Sequence, residues 1–208
     1  MRYSRRTRNS SEVFANRYTV FIDACSLAGA LKRDILLTLA EAEFFRVQWS
    51  EEVLAETERA LVKIFEKMGK PNSAARAADV CGRVREAFPE ALVSDYDAFL
   101  AAAAGLPDLD DRHVVAAALK GQASTIVTDN TRHFPEELLA QLGIEAKSAD
   151  DFLADTIELD IGKAVAVIRS IRERYRTPTL AADDLLLKME TVGLTETADL
   201  LRPYVGSL

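Results

Sequence analysis

The sequence predicts an α/β protein in which a parallel central sheet lies between two helical layers, followed by a helical C-terminal appendage. Three observations lead there. Short β-rich apolar runs alternate with longer stretches of helical spacing from Tyr18 to Thr128, the pattern of right-handed βαβ crossovers. The first run is largely apolar rather than alternating, as in a strand covered on both faces. Beyond a brief IEAKS segment after Gly143, only helical patterns remain.

The elements follow in order. Tyr18 to Ile22 is the first strand, and residues 26 to 42 read as a helix because Leu27, Ala30, Leu31, Ile35 and Leu39 share one face. Phe45 to Trp49 is a second strand. Ser50 supplies an N-cap, with Glu51 and Glu52 in the first turn where the helix dipole favours acids, and this helix runs to Met68. Gly69 and Pro71 punctuate its end. A helix over 73 to 87, a strand over Ala91 to Ser94 and a short alanine-rich helix over 97 to 104 come next. Another helix opens at Asp108 to Asp111, buries Val114, Val115, Ala118 and Leu119, and stops at Gly121. Ser124 to Thr128 is the fourth strand, and IEAKS supplies an edge strand. Ser148 and Asp151 resemble a capping box. Helices then cover 149 to 158, 161 to 175, 180 to 192 and 195 to 202, with stops at Gly193 and Pro203.

The 208 residues divide by pattern into a basic arm (1–16), an α/β domain (17–145) and a C-terminal helical subdomain (146–208). A hydrophobic fraction of 49% supports a packed core rather than disorder. No apolar run approaches the roughly 20 residues of a membrane span. The N-terminal MRYSRRTRNSSEVF leads into no signal-peptide apolar core, so a cytoplasmic protein is expected. Cys25 and Cys81 lack zinc-ligand spacing and read as buried free thiols. A net charge of −7 argues against a protein that coats nucleic acid, but not against an enzyme that grips phosphates locally. The four arginines of RSIRERYR, residues 169 to 176, read first as a solvated helix face.

Acidic residues recur at four stations: Asp23 after the first strand, Glu56 in SEEVLAETERAL, Asp110 and Asp111 in DLDDRHVVAAAL, and Asp129-Asn130 after STIVT. Each has an ordinary explanation as a turn former, a helix cap or a member of a surface ion-pair stripe. Their order and spacing are not easily explained that way. In a parallel sheet these places converge at the carboxyl edge, where ligands bind, and carboxylates gathered there hold Mg²⁺ or Mn²⁺ against phosphate.

The ordered set resembles a PIN domain, the nuclease fold of VapC-type toxins in toxin–antitoxin pairs. The resemblance rests on VFIDACSLAGALKRDILLTLAE, WSEEVLAETERAL and DLDDRHVVAAALKGQASTIVTDNTRHF, and covers residues 17 to 140. It implies a PIN-like three-layer α/β/α fold and a Mg²⁺/Mn²⁺-dependent endoribonuclease acting through metal-activated water. It also implies an RNA substrate, a cognate antitoxin protein and a homodimer. Mapped by position, Asp23 matches the first acid and Glu56 the helical one. Asp111 matches the third, by its distance from Ala116, with Asp110 its rival. The fourth station departs: many members carry T-x-D, whereas Thr128 is followed here by Asp129 and then Asn130. The resulting expectation is a catalytic set of Asp23, Glu56, Asp111, Asp129 and Asn130, with Asp23, Asp111, Glu56 and Asp129 as metal ligands.

No nucleophile signature, GxGxxG or P-loop competes with this reading. A phosphatase would need D-x-D after the first strand, where the chain reads Asp23-Ala24-Cys25. His113 and His133 have no metal-ligand spacing, and His113 reads as packing or surface. Thr128 reads equally as a structural hydroxyl or as a partner for phosphate or carboxylate. The alternative from a different class is a PIN-like scaffold that binds RNA or protein without cutting, motivated by the missing acid at Asn130.

Overall fold

In the computed structural model, residues 18–176 and 178–208 are described; the basic arm expected over 1–16 lies outside them. Strands β1 (Thr19–Ile22), β2 (Arg46–Ser50), β3 (Leu92–Val93), β4 (Thr125–Val127) and β5 (Glu145–Lys147) form one sheet. Its order is β3-β2-β1-β4-β5, and every pairing is parallel. The chain steps outward from β1 to β2 and β3, then returns to the other side of β1 for β4 and β5. The topological switch therefore falls between β1 and β4, the crevice where α/β sheets bind ligands. Val20, Phe21 and Ile22 have no exposed surface, as an apolar strand covered on both faces requires.

The expected helix over 26 to 42 is two helices, α1 (Ala24–Ala28) and α2 (Ala30–Glu41), separated by an extended Gly29. Glycine loses the most backbone entropy in a helix and is a natural place for the break. The carbonyls freed there are not orphaned, because buried Arg33 donates Nη1 to Leu27 O at 2.6 Å and Ala28 O at 3.2 Å. Helix α3 (Glu51–Lys67) begins as expected, with Ser50 Oγ accepting from Val53 N at 3.2 Å. It pairs with α4 (Ser73–Ala87) in a hairpin around Leu61, Ala77 and Cys81. The expected helix over 97 to 104 is a 3₁₀ segment, Asp97–Ala103, lying against α5 (Arg112–Lys120). Helix α5 packs on β1 and β2. A helix the sequence reading passed over, α6 (Glu136–Gln141), follows Pro135 with two acids in its first turn. Helices lie on both faces, giving the expected three-layer α/β/α arrangement.

Four further α-helices follow, α7 (Ala149–Leu159), α8 (Ile161–Glu173), α9 (Ala182–Thr191) and α10 (Thr195–Leu201), before a closing 3₁₀ segment over Arg202–Ser207. They share the apolar core of the sheet domain. Phe152 stacks edge-on against Phe45 at 4.9 Å between centroids, and Tyr18 lies 6.2 Å from Phe152 while bonding Thr156 Oγ1 at 3.0 Å. Helix α8 packs on α2, where Arg174 Nη1 donates to Asp34 Oδ1 at 3.1 Å and Thr38 Oγ1 at 3.3 Å. Within the group, Asp150 accepts from the Glu196 and Thr197 amides, both at 2.9 Å, and so caps α10. Arg172 reaches Leu180 O at 2.9 Å and Arg169 reaches Ser207 O at 3.4 Å; the arginine face is solvated as expected at 169, 174 and 176, and three of the four also bond the chain to itself.

Two outcomes follow. Truncation after residue 145 removes Phe152, Leu153, Ile157 and Ile168 from the core, all at most 2% exposed. The remainder is expected to be destabilised or insoluble by urea titration or sedimentation. Arg174→Ala leaves Asp34, 4% exposed, without its guanidinium. At neutral pH this should cost about 2 kcal/mol, modest for a broken buried pair because Arg174 itself is partly solvated. Burial raises the Asp34 carboxyl above its usual range while Arg174 and Arg33 oppose the shift, so losing Arg174 raises it further. A raised folded-state carboxyl favours folding while protonated, and that contribution is lost as pH rises through its folded value. The Arg174→Ala deficit should therefore shrink on acidification, and adding Asp34→Asn should narrow it at pH 7.

Candidate metal-binding active site

At the carboxyl edge of the sheet, Asp23 is the hinge between β1 and α1. Its amide continues the β1–β4 ladder by donating to Val127 O at 3.0 Å. Its side chain, on a residue only 7% exposed, caps α1 through Ala24 N at 2.6 Å and accepts from Thr128 Oγ1 at 2.8 Å. Of the two roles open to Thr128, the fully buried hydroxyl takes the carboxylate partner, and it also accepts from Asn130 N at 3.1 Å. Cys81 is buried as expected, but Cys25 is exposed. The Cys25 sulfur nevertheless sits between Asp23 Oδ2 and Thr128 Oγ1, at 3.2 and 3.3 Å. Desolvation of the sulfur and the Asp23 charge push that thiol up to about 11, so it is not a thiolate nucleophile at neutral pH.

Two more elements bring the other stations to the same edge. Asp111 is the N-cap residue of α5, yet its side chain makes no cap bond; it lies 2.7 Å from His133 Nδ1. His133 stands in the 3₁₀ turn Thr131–His133 after β4, also 3.5 Å from Asp108 Oδ2 and 2.7 Å from Asn130 Nδ2. Burial raises the Asp111 carboxyl, the His133 hydrogen bond opposes this, and the charges of Asp23 and Asp108 add to the rise. Glu56, two turns into α3, faces His113 of α5 at 3.4 Å, while Glu52 lies 3.4 Å from the other ring nitrogen. Burial alone would lower His113, but the Glu56 hydrogen bond and the charges of Glu56, Glu52 and Asp23 raise it. The Asp23 charge thus reaches both the Asp111 and the Glu56–His113 groups.

The structure therefore gathers Asp23, Glu56, Asp111 and Asn130 around one edge. Among the described residues, exposed Asp110 bonds through its amide, to Asp108 Oδ1 at 3.0 Å. Asp129 turns elsewhere: its carboxylate pairs with Lys32 Nζ at 2.6 Å and accepts from Ala149 N, the start of α7, at 3.3 Å. Both histidines join the site although their sequence spacing carries no ligand signature. Each meets its carboxylates across two elements, which spacing along one segment cannot register. Asp108, Asp111 and His133 offer ligand atoms within 4.8 Å of one another, and the oxygen-rich set suits a hard divalent cation.

No described helix is long and apolar enough to cross a membrane. A family profile described as "VapC50 C-terminal domain" matches residues 149–203. The "Putative ribonuclease VapC50" of Mycobacterium tuberculosis (strain ATCC 25618 / H37Rv) is 41% identical over 76 residues, 36% of this chain and 45% of that protein, so the match spans under half of the relative's length. No solved structure matches. The profile described as "PIN domain" matches residues 19–132, more than half of the 208, and contains Asp23, Glu56, Asp111 and Asn130. With the parallel five-stranded sheet and the acidic edge in place, the chain belongs to the PIN domain family.

Proposed function

We propose that the chain is a Mg²⁺- or Mn²⁺-dependent endoribonuclease that hydrolyses RNA phosphodiester bonds, and that it is the toxin of a toxin–antitoxin pair. The observation that carries this is the meeting of Asp23, Glu56 and Asp111 from three separate elements at the switch point of a PIN domain sheet. The similar mycobacterial protein, named "Putative ribonuclease VapC50", supports the substrate class. A cognate antitoxin, a homodimer and a cytoplasmic location complete the reading. A division into a nuclease domain (17–145) and a C-terminal helical subdomain (146–208) accords with the two profiles matching on either side of it.

Asp23 and Asp111 are the residues that would hold the cation, while Asn130 turns its amide nitrogen to His133 and its oxygen to Arg132 Nε. The donor set fits: buried and partly buried carboxylates crowd one another, and Asp111 is raised in part by like charge, which a divalent ion relieves. When bound, such an ion lowers the pKa of water and neutralises the leaving oxygen. Glu56, positioned by His113 and 35% exposed, can orient the attacking water and accept its proton. Asp129, among the ligands expected from the sequence, is assigned here to anchoring the loop through Lys32 and α7. The scaffold reading draws on the same two facts, an amide at 130 and an anchored Asp129, and predicts no Mn²⁺ uptake in calorimetric titration.

Purified protein should cleave RNA with Mg²⁺ or Mn²⁺ and lose activity in EDTA. Asp23→Asn and Asp111→Asn should each lower the rate at least about a hundredfold, since each removes a carboxylate from the metal-holding set. Asp110→Asn should be mild. Activity that survives both EDTA and Asp23→Asn would sink the metal-carboxylate mechanism, and a larger effect at Asp110 than at Asp111 would reassign the third station. Asp129→Asn should lower stability by about 1 kcal/mol through the lost Lys32 pair and α7 cap, with a smaller loss of cleavage than Asp23→Asn.

A further inference from the structure

His133 Nδ1 has more polar neighbours than one ring nitrogen can serve. Asp111 Oδ2 lies at 2.7 Å, Asn130 Nδ2 at 2.7 Å and Asp108 Oδ2 at 3.5 Å. A neutral imidazole carries at that nitrogen either one proton or one lone pair. With a proton it satisfies one carboxylate and opposes the Asn130 amide; with a lone pair it accepts from the amide and opposes both carboxylates. A cation between the nitrogen and the two carboxylates satisfies these three together and leaves only the Asn130 amide to turn away. The spacing suits one: metal–ligand distances of about 2.1 Å in an octahedron put neighbouring donors about 3 Å apart. The observed 2.7 and 3.5 Å bracket that edge.

We propose that His133 is a direct nitrogen ligand of the divalent cation held by Asp111, with Asp108 as a further oxygen donor. The proposal rests on the metal-nuclease reading and deepens it by naming two ligands outside the four acidic stations. The supports are independent of one another: Asp108 and Asp111 stand in the approach to α5, and His133 in the turn after β4. All three are partly buried, screened from bulk water yet open to an ion. Because imidazole suits transition ions better than Mg²⁺, one nitrogen biases the centre toward Mn²⁺.

The test is pulsed electron paramagnetic resonance on the full chain loaded with Mn²⁺, reading hyperfine coupling from directly bound ¹⁴N. The wild type should show it. His133→Asp should retain Mn²⁺ and lose the nitrogen signal, while its preference for Mn²⁺ over Mg²⁺, measured by calorimetry, falls about tenfold. His113→Asn should keep the signal. His133→Gln, with circular dichroism to show a native fold, guards against misfolding of the first variant. Mn²⁺ bound without ¹⁴N coupling, or coupling that survives in His133→Asp, overturns the ligand assignment while leaving the metal-nuclease reading standing. Failure of the wild type to bind Mn²⁺ at millimolar concentration sinks that reading and this inference together.

Discussion

Where β1 ends, Asp23 belongs to the sheet, to a helix and to the site at once. Its amide still donates across to Val127 of β4, one carboxylate oxygen closes the first turn of α1, and the other receives the buried Thr128 hydroxyl. The two central strands are thereby joined at their carboxyl ends by side-chain as well as backbone bonds. Everything proposed for the site presupposes this junction, because the turn after β4 takes its direction from Thr128 and carries Asn130 and His133. A charged group that is 7% exposed persists only with such partners, so fold and site share one set of hydrogen bonds.

Much of the fold could be read from residue pattern because parallel strands covered on both faces are plain in composition: VFI and the IV of TIV are apolar without alternation. Caps were equally plain, as at Ser50 and Ser148, where a hydroxyl precedes two acids and an apolar stripe. The break at Gly29 was hidden because apolar residues continue at helical spacing on either side of it, and the compensating carbonyl acceptors are met by Arg33 from the next turn. The 3₁₀ form of Asp97–Ala103 was hidden too, since alanine is compatible with either winding.

The acidic stations at Asp23 and Asp111 were legible because each occupies a boundary between elements that periodicity had already marked, and Glu56 because it follows the Ser50 cap on a marked helix. What surrounds them was not. His113 and His133 reach their carboxylates across helix–helix and helix–turn contacts, and nothing in their separation along the chain announces it. Asp129 and Asn130 are adjacent, so their opposite destinations depend on a single turn of backbone and on Lys32, 97 positions away in the chain. The C-terminal arginines were ambiguous for a similar reason: a buried Asp34 on α2 is what ties the partly solvated Arg174 to the sheet domain.

The segment from Thr128 to Phe134 has an entropic consequence. Thr128 is bonded to Asp23, Asp129 to Lys32 and to the first amide of α7, Asn130 and His133 to each other, and the Phe134 side chain is buried. Few backbone torsions remain free along it, and connecting loops ordinarily surrender such freedom only when a ligand arrives. Here the freedom is given up during folding, so less of the interaction energy with a ligand goes into ordering the loop. Loosening any of these ties would return that ordering cost to the moment of binding.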